Sequence, residues 1–209
     1  MSDHRELIVL VHGFGSMRLI MWPLACLLRA GGFRVRQWSY ASLFAPIDDH
    51  AKRFFEFLEQ LATEESRFHI VAHSMGSIIV QSALNRGHFP NLRRIVFLAP
   101  PNRGSPVARV AALIFGQILA PTRELSDALE SYVNKLERKL ENDVGVIAAR
   151  FDLLVPISNT HLANESAHIV INATHNSLLV STTVSKLTAR FLATGAFKES
   201  LLAGQEELP

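Results

Sequence analysis

The chain has 209 residues, of which 48% are hydrophobic and 19% are charged. At this length one domain buries roughly 70% of the surface that its unfolded chain exposes, so a sizeable core is expected and fibrous or disordered classes are excluded. Lysine and arginine number 21 and aspartate and glutamate 19, which gives a net charge of +2. The basic residues are scattered in ones and twos, and a nucleic-acid partner is therefore not expected.

Several other classes are excluded by single features of the sequence. The one cysteine, Cys26, rules out an internal disulfide and a cysteine-built zinc site. The nine histidines include no H-E-x-x-H motif, so we expect neither a catalytic metal nor a cofactor. No leader pattern precedes the first apolar run, and the longest apolar stretch, 110–120, is shorter than the ~20 residues of a membrane span. We expect a cytoplasmic protein without a transmembrane segment.

The first half of the chain alternates apolar runs with helical patterns. Residues 7–11 are branched and apolar without polar alternation, which predicts a parallel strand covered on both faces. A glycine turn, His12 to Gly15, follows it, and helical spacing then covers 19–30. Residues 33–40 interleave arginines with apolar side chains, as at the edge of a sheet. The next helix opens at 46–49, and its aromatic stripe is predicted to face the sheet.

Residues 68–76, FHIVAHSMG, predict a sharp bend between a strand and a helix. The apolar run 70–72 leads directly into Ser74, and a helix is predicted over 77–84. Ala72 and Gly76 lie two positions before and after the serine, and larger side chains there would collide where the helix folds back over the strand. A serine at such a bend has a strained backbone and an exposed hydroxyl. A helix-capping serine is the structural alternative for this stretch alone.

A long insertion separates the next strand from the one after it. Residues 94–99 form another apolar run, followed by a proline-rich loop in which Ser105 is predicted to cap a helix beginning at Pro106. Residues 107–120 are apolar nearly all round, whereas 124–141 are charged and amphipathic, so both are predicted to be helical. We expect residues 101–143 to form a helical cover or lid within a single domain, 1–209.

Two further strands complete the predicted sheet, and each is followed by a polar residue. Residues 144–148 precede Asp152, and residues 169–173 precede His175. Helical spacing resumes from 178 to 191. Alternating strands and helices predict an α/β fold, a three-layer αβα sandwich with about six mostly parallel strands and right-handed crossovers.

The carboxyl ends of parallel strands gather ligands and catalytic groups. This rule selects the glycine turn, Ser74, Asp152 and His175. A serine needs a histidine to take its proton, and the histidine needs a carboxylate to hold its tautomer. Among the alternatives, Asp127 is predicted to lie within a helix, Asp143 before its strand, His161 in a loop and His168 at a strand start. His12 and His73 flank the site and are interpreted as turn and packing residues.

These motifs resemble those of the α/β-hydrolase superfamily, in particular small bacterial lipase-like esterases, over residues 7–191. The order serine, acid, histidine matches Ser74, Asp152 and His175, and the HGxG turn after the first strand matches His12 to Gly15. Alanine at position 72 is known in minimal lipases of this fold, and residues 101–105 resemble a P-N-x-G-S segment of related hydrolases. The two antiparallel strands that usually begin the fold are missing, which implies a minimal six-stranded sheet.

The resemblance implies a serine esterase or lipase that acts through an acyl-enzyme on a small-molecule or lipid-like ester. We assign the nucleophile to Ser74, the base to His175 and the acid to Asp152. The backbone N–H groups of Phe14 and Met75 are the predicted oxyanion donors. A thioesterase, amidase or acyltransferase could use the same triad, and a non-catalytic binding protein of this fold is the alternative from another class.

Overall fold

The computed structural model describes residues 6–15, 18–115, 118–137 and 140–198, so the ends of the expected domain, 1–5 and 199–209, lie outside it. Six strands of these ranges form one sheet in the order β2-β1-β3-β4-β5-β6. Every neighbouring pair is parallel. The strands are β1 (Leu7–Val11), β2 (Arg34–Trp38), β3 (Phe68–His73), β4 (Leu92–Leu98), β5 (Asp143–Ala149) and β6 (Ala167–Ile171). The predicted six-stranded parallel sheet is confirmed.

Helices connect the strands and cover both faces of the sheet. They are α1 (Trp22–Ala30), α2 (Ile47–Glu64), α3 (Met75–Leu84), α4 (Pro106–Phe115), α5 (Ala120–Glu124), α6 (Tyr132–Lys135) and α7 (Thr182–Thr194). Short 3₁₀ turns, Arg18–Met21 and Ser177–Val180, precede α1 and α7, where the sequence predicted continuous helix. In the described ranges, we find no helix with the length and apolarity that a bilayer crossing requires.

Two buried clusters lie on opposite faces of the sheet, because alternate strand residues point to opposite sides. One cluster joins Val9 and Ile70 of the strands to Phe54 of α2 and Ile78 of α3. The other contains Ile8 and Leu10 together with side chains of α1 and α7. Helix, sheet and helix therefore form the three layers that the sequence predicted.

The strand with interleaved arginines lies at the sheet edge, as predicted. Only β1 pairs with β2 among the described strands. Arg34 pairs with Glu65 and Arg36 with Glu64 at the end of α2. These charges partly cover the open edge and oppose pairing with another chain.

The insertion between β4 and β5 differs from the sequence prediction in its second half. Residues 124–141 were predicted to be helical, but 125–131 form turns and bends, with Asp127 in a bend, and 132–135 form only the single turn of α6. The backbone of Ser105 forms a parallel bridge to Ser126, and residue 126 is therefore paired as an extended residue rather than within a helix. A Cβ at Gly104 would lie 2.4 Å from the Ser126 carbonyl oxygen. This close tertiary contact overrides the helical spacing.

Candidate active site

The bend between β3 and α3 has the backbone strain that its sequence predicted. Ser74 has φ 52° and ψ −127°, and α3 begins immediately after it at Met75 rather than at Ser77. For a residue with a side chain this left-handed conformation costs on the order of 1–3 kcal/mol and persists only where the surrounding structure imposes it. The only other described non-glycine residue with positive φ is Ala99, at the end of β4.

Close contacts between the bend and the glycine turn impose this conformation. A Cβ at Gly76 would lie 2.5 Å from the His12 carbonyl oxygen, so α3 approaches the end of β1 more closely than any side chain allows. A Cβ at Gly13 would lie 2.9 Å from the Ser74 Cβ. The turn after β1 is therefore packed directly against the serine. This contact explains why both positions carry glycine.

The glycine turn is itself held by His12 and Tyr40. The His12 ring stacks on Tyr40 with centroids 4.2 Å apart, and its Nδ1–H donates to the Gly13 carbonyl at 3.0 Å. The Tyr40 hydroxyl donates to the His12 carbonyl at 2.7 Å. Burial lowers the pKa of His12, which keeps the ring neutral. The expectation that His12 is a turn residue agrees with these contacts.

Asp152 and His175, which follow β5 and β6, are joined by a short hydrogen bond. The His175 Nδ1–H donates to the Asp152 Oδ2 at 2.6 Å, and only 1% of the Asp152 side chain is exposed. The strand ends hold the two residues side by side, because the Phe151 N–H donates to the Ala173 carbonyl at 3.0 Å. A carboxylate can only accept, so the proton is on Nδ1 and the lone pair is on Nε2 of His175.

Two further donors hold the Asp152 carboxylate. Its Oδ1 accepts from the backbone N–H groups of Leu154 at 2.8 Å and of Val155 at 2.9 Å. Burial alone would raise the pKa of Asp152, but the hydrogen bond and the charge of His175, together with the two backbone donors, outweigh it and lower that pKa. Asp152 is therefore ionised at neutral pH and fixed in orientation.

His73, which precedes the serine, contacts both the backbone and the ring of His175. Its Nε2–H donates to the His175 carbonyl at 3.2 Å, and the two rings lie 4.7 Å apart at 53°. The ring is fully buried, and its Nδ1 has no hydrogen-bond partner among the described residues. Burial, assisted by the nearby charge of His175, lowers the pKa of His73 to about 3. The sequence indicated only packing for this residue, whereas the structure shows it in contact with the backbone of His175.

The buried His73 is expected to make stability depend on pH in the acidic range. Between pH 6.5 and about 3 the unfolded chain holds this proton and the folded chain does not. The free energy of unfolding therefore falls as pH decreases, by about 1.4 kcal/mol per pH unit for one such group. In His73→Gln, whose amide can still donate to the His175 carbonyl, we expect urea titrations from pH 6 to pH 4 to show a shallower slope by about this amount. An unchanged slope would contradict the burial of a neutral ring.

Ser74 and His175 line the same cavity, whose volume is about 380 Å³. The hydrogen bonds of the described residues do not include one between Ser74 Oγ and the His175 ring. Catalytic hydrogen bonds are often long before substrate binds and tighten in the complex. The lining is mostly apolar: Phe14, Ile20, Pro101, Val107, Ala108, Ala111, Leu125, Leu154 and Val155. A larger hollow of about 540 Å³ beside α5 and α6 contains none of the predicted site residues.

The loop after β4 ties the cavity wall to its surroundings. The Asn102 side chain accepts from Gln81 at 2.8 Å and donates to the Thr160 carbonyl at 2.7 Å. The Ser105 hydroxyl donates to the Leu154 carbonyl at 2.5 Å and accepts from the Ala108 N–H at 3.2 Å. The capping role predicted for Ser105 agrees with the second contact. The segment with Asp152 is thus held by the loop that opens the insertion.

The parallel register explains why distant residues meet at one edge of the sheet. Val11 pairs with Ala72, His73 with Leu98, and Leu98 with Ile147. The strands consequently end at nearly the same level, and the residues that follow them lie around one cavity. The structure brings together Phe14, Ser74 and His175 in the cavity wall, with Asp152 behind His175 and Met75 next to the serine.

The sequence of residues 8–194 matches the alpha/beta hydrolase family. This match spans well over half of the chain, and the protein therefore belongs to that family. The parallel six-stranded sheet with helices on both faces is the corresponding fold. No protein of curated function gives a significant match.

Solved structures share the fold at low sequence identity. The mature form of the lipase BlEst2 from Bacillus licheniformis superposes with a TM-score of 0.76 at 16% identity, covering 93% of each chain. Lipase B from Aspergillus fumigatus gives 0.71 at 16% identity, covering 92% of this chain and 53% of that one. Phospholipase PlaB from Legionella pneumophila gives 0.65 at 14% identity, covering 92% and 57%. This chain thus spans little more than half the length of the last two.

Proposed function

We propose that this protein is a serine hydrolase that cleaves carboxylic esters, with Ser74 as nucleophile, His175 as base and Asp152 as acid. The observation that carries the proposal is the buried hydrogen bond of 2.6 Å between His175 and Asp152, in the wall of the cavity that Ser74 also lines. The strained serine at the strand end can act as the nucleophile, and a histidine with its lone pair on Nε2 can act as the base that takes the serine proton.

The reaction proceeds in two halves. In the first, Ser74 Oγ attacks the ester carbonyl carbon while Nε2 of His175 takes the hydroxyl proton. The tetrahedral intermediate collapses as the carbon–oxygen bond to the leaving alcohol breaks and His175 returns the proton to that alcohol. In the second half, His175 takes a proton from the water that attacks the acyl-enzyme. It returns this proton to Ser74 Oγ as the bond between that oxygen and the acyl carbon breaks, which releases the acid. Asp152 holds the imidazole and stabilises its transient positive charge.

The oxyanion formed in each half is assigned to the backbone N–H groups of Met75 and Phe14. Met75 is the first residue of α3, and an N–H at that position has no partner within its own helix. The turn with Phe14 lies against Ser74 through Gly13. Losing one donor of an oxyanion hole typically costs about 3–4 kcal/mol in the barrier.

The cavity favours an apolar acyl group of limited length. Its volume of about 380 Å³ is near the low end of the roughly 300–1,000 Å³ typical of ligand pockets. Helix α4 contributes Val107, Ala108 and Ala111 to the lining, and the lining residues include no aspartate, glutamate, lysine or arginine. We therefore assign short or medium-chain esters as substrates.

A series of p-nitrophenyl esters from two to sixteen carbons tests this assignment. We expect kcat/KM to peak at short or medium chains and to be lost in Ser74→Ala. Matched acyl thioesters and anilides, measured in parallel, separate ester hydrolysis from a thioesterase or an amidase that uses the same residues. Faster turnover of the thioester than of the oxyester, or no turnover of any member, would contradict the proposal.

Residues 101–143 are proposed to cover the cavity within one domain, with α4 as the part that can move. The second half is anchored to the body: Glu124 Oε2 accepts from the Ile47 N–H at 2.8 Å, and the Tyr132 and Ser82 hydroxyls are 2.6 Å apart. Helix α4, in contrast, exposes apolar side chains beside the cavity, including 84% of Leu113 and 69% of Ile114. Such a face favours contact with an aggregated, lipid-like substrate.

The double variant Leu113→Glu and Ile114→Glu tests the role of α4. Each exposed aliphatic side chain contributes roughly 1.5–3 kcal/mol when it is buried against an apolar surface. We therefore expect turnover of an emulsified ester to fall at least about tenfold, while a soluble short-chain ester is hydrolysed at an unchanged rate.

Leu129→Glu is the matched control, because Leu129 is 86% exposed in the same insertion and does not line the cavity. If α4 opens at an interface, wild-type activity should also rise sharply once the ester exceeds its solubility limit. Smooth saturation across that limit would identify the insertion as a fixed cover.

A further inference from the structure

Two histidines and a glutamate cluster at the far end of the segment that carries Asp152. His161, Glu165 and His168 each offer a ligand atom, and these atoms lie within 4.8 Å of one another. The two imidazole rings stack with centroids 4.0 Å apart and 18° between their planes. None of the three lines the cavity with Ser74. The cluster is therefore distinct from the site described above.

The hydrogen bonds of His168 determine its tautomer. The Thr160 hydroxyl donates its only proton to the Ile157 carbonyl at 2.7 Å. It must therefore accept from the His168 Nε2–H, which lies 2.9 Å away. The lone pair of His168 is consequently on Nδ1. A metal-binding histidine almost always has its other ring nitrogen held by such an outer partner.

Glu165 is held in a comparable way. Its Oε2 accepts from the Leu162 N–H at 2.9 Å, and its Oε1 accepts from the His161 Nδ1–H at 2.7 Å. Only 14% of the Glu165 side chain is exposed, whereas 45% of His161 is exposed. The carboxylate is thus fixed, and His161 is the member of the cluster with room to rotate.

We propose that His161, Glu165 and His168 form a binding site for a divalent transition-metal ion, with zinc as the representative ion. Two imidazole nitrogens and one carboxylate oxygen form a donor set that zinc accepts, and water can complete its tetrahedral shell. Copper and nickel are expected to bind the same donors by the general affinity order of these ions. Magnesium and calcium prefer oxygen ligands and are excluded as occupants.

Binding requires the exposed His161 side chain to move. Zinc binds nitrogen and oxygen at about 2.0–2.2 Å, so two ligand atoms in a tetrahedral shell lie about 3.3–3.6 Å apart. The ligand atoms of the cluster lie within 4.8 Å of one another. Coordination therefore requires the His161 ring to leave its stack on His168 and to give up the Nδ1–H that it donates to Glu165, so that the lone pair of a ring nitrogen faces the ion.

The site would act as a structural brace rather than as part of the chemistry. Thr160, which orients His168, also accepts through its carbonyl from Asn102 in the loop after β4. A bound ion would join the β5–β6 segment to β6 near these contacts. The sequence predicted no catalytic metal, because its nine histidines include no H-E-x-x-H motif. The spacing of His161, Glu165 and His168 is H-x₃-E-x₂-H instead.

Isothermal titration of the tag-free, metal-stripped protein with zinc chloride tests the proposal. We expect about one ion per chain, bound saturably. At a free zinc concentration of one hundred times Kd, Tm is expected to rise by about 5–10 °C. His161→Ala and His168→Ala should each weaken binding by at least about 100-fold, since loss of an outer-shell partner alone typically costs 10–100-fold.

Two control variants separate this site from other histidine–acid pairs. His88→Ala removes the pair with Glu141, whose atoms are 3.0 Å apart and which belongs to no group of three ligand residues in the described part of the chain. His175→Ala removes the pair with Asp152. Both variants should bind zinc as the wild type does. Because His161 is exposed, His161→Ala is expected to fold, and circular dichroism of each variant verifies this. Binding that survives in His161→Ala and His168→Ala, binding lost in His175→Ala, or no saturable binding would each overturn the proposal.

Discussion

Replacing Ser74 by alanine is expected to lower kcat for ester hydrolysis by about 10⁶-fold, the magnitude found when a serine-hydrolase nucleophile is removed. The reason is that no other described hydroxyl in the cavity wall lies at a strained bend between a strand and a helix. The Ser105 hydroxyl, which also lines the cavity, donates to the Leu154 carbonyl and caps α4. A steady-state assay with the best p-nitrophenyl ester measures the loss.

Ser158→Ala is the control for this variant, because Ser158 is an exposed serine that does not line the cavity. Its rate should equal that of the wild type. The alanine at position 74 is also expected to preserve the fold. Retention of more than a small fraction of activity in Ser74→Ala would exclude this serine as the nucleophile.

Asp152→Asn is expected to lower kcat by about 10⁴-fold, as loss of tautomer control does in serine proteases. An asparagine at this position can still accept from the backbone N–H groups of Leu154 and Val155 through its amide oxygen. Its amide nitrogen would then face His175 and donate to Nδ1. That arrangement stabilises the tautomer with its proton on Nε2, which cannot take the proton of Ser74.

The structure provides a matched control for the acid. Asp143→Asn changes an acid that is 56% exposed and paired with Arg94 at the start of β5, and it should leave kcat unchanged. Thermal unfolding should show both variants folded. A near-normal rate for Asp152→Asn would transfer the role of the acid to another residue.

The strands and their order along the chain were predictable because their signal is local. Branched apolar runs without polar alternation are typical of strands buried on both faces, and β1, β3, β4 and β5 each contain such a run. Parallel pairing then places the residues after each strand at one edge. Ser74, Asp152 and His175 could therefore be selected by their positions alone.

The turns of residues 125–131 were not predictable from the same kind of pattern. Helical spacing is present there, but Ser126 is held against Gly104 and Ser105 by backbone contacts. These contacts depend on the path of the loop after β4, about 20 residues earlier in the chain. Local propensity consequently gave a helix where tertiary packing produces turns.

The supporting contacts of the candidate triad were also outside the reach of the sequence. His73 contacts the carbonyl of a residue 102 positions away. Leu154 and Val155 act through their N–H groups, which every residue except proline possesses. Neither residue type nor spacing identifies such donors, because the backbone geometry after β5 creates them.

Ser74 is proposed to be an activated nucleophile beside His175. Incubation of the protein with a fluorophosphonate, followed by peptide mass spectrometry, tests it most directly. We expect one adduct per chain, on Ser74, formed in the wild type and much more slowly in Asp152→Asn. An unlabelled protein, or an adduct on a different serine, would contradict the assignment of Ser74 as the nucleophile.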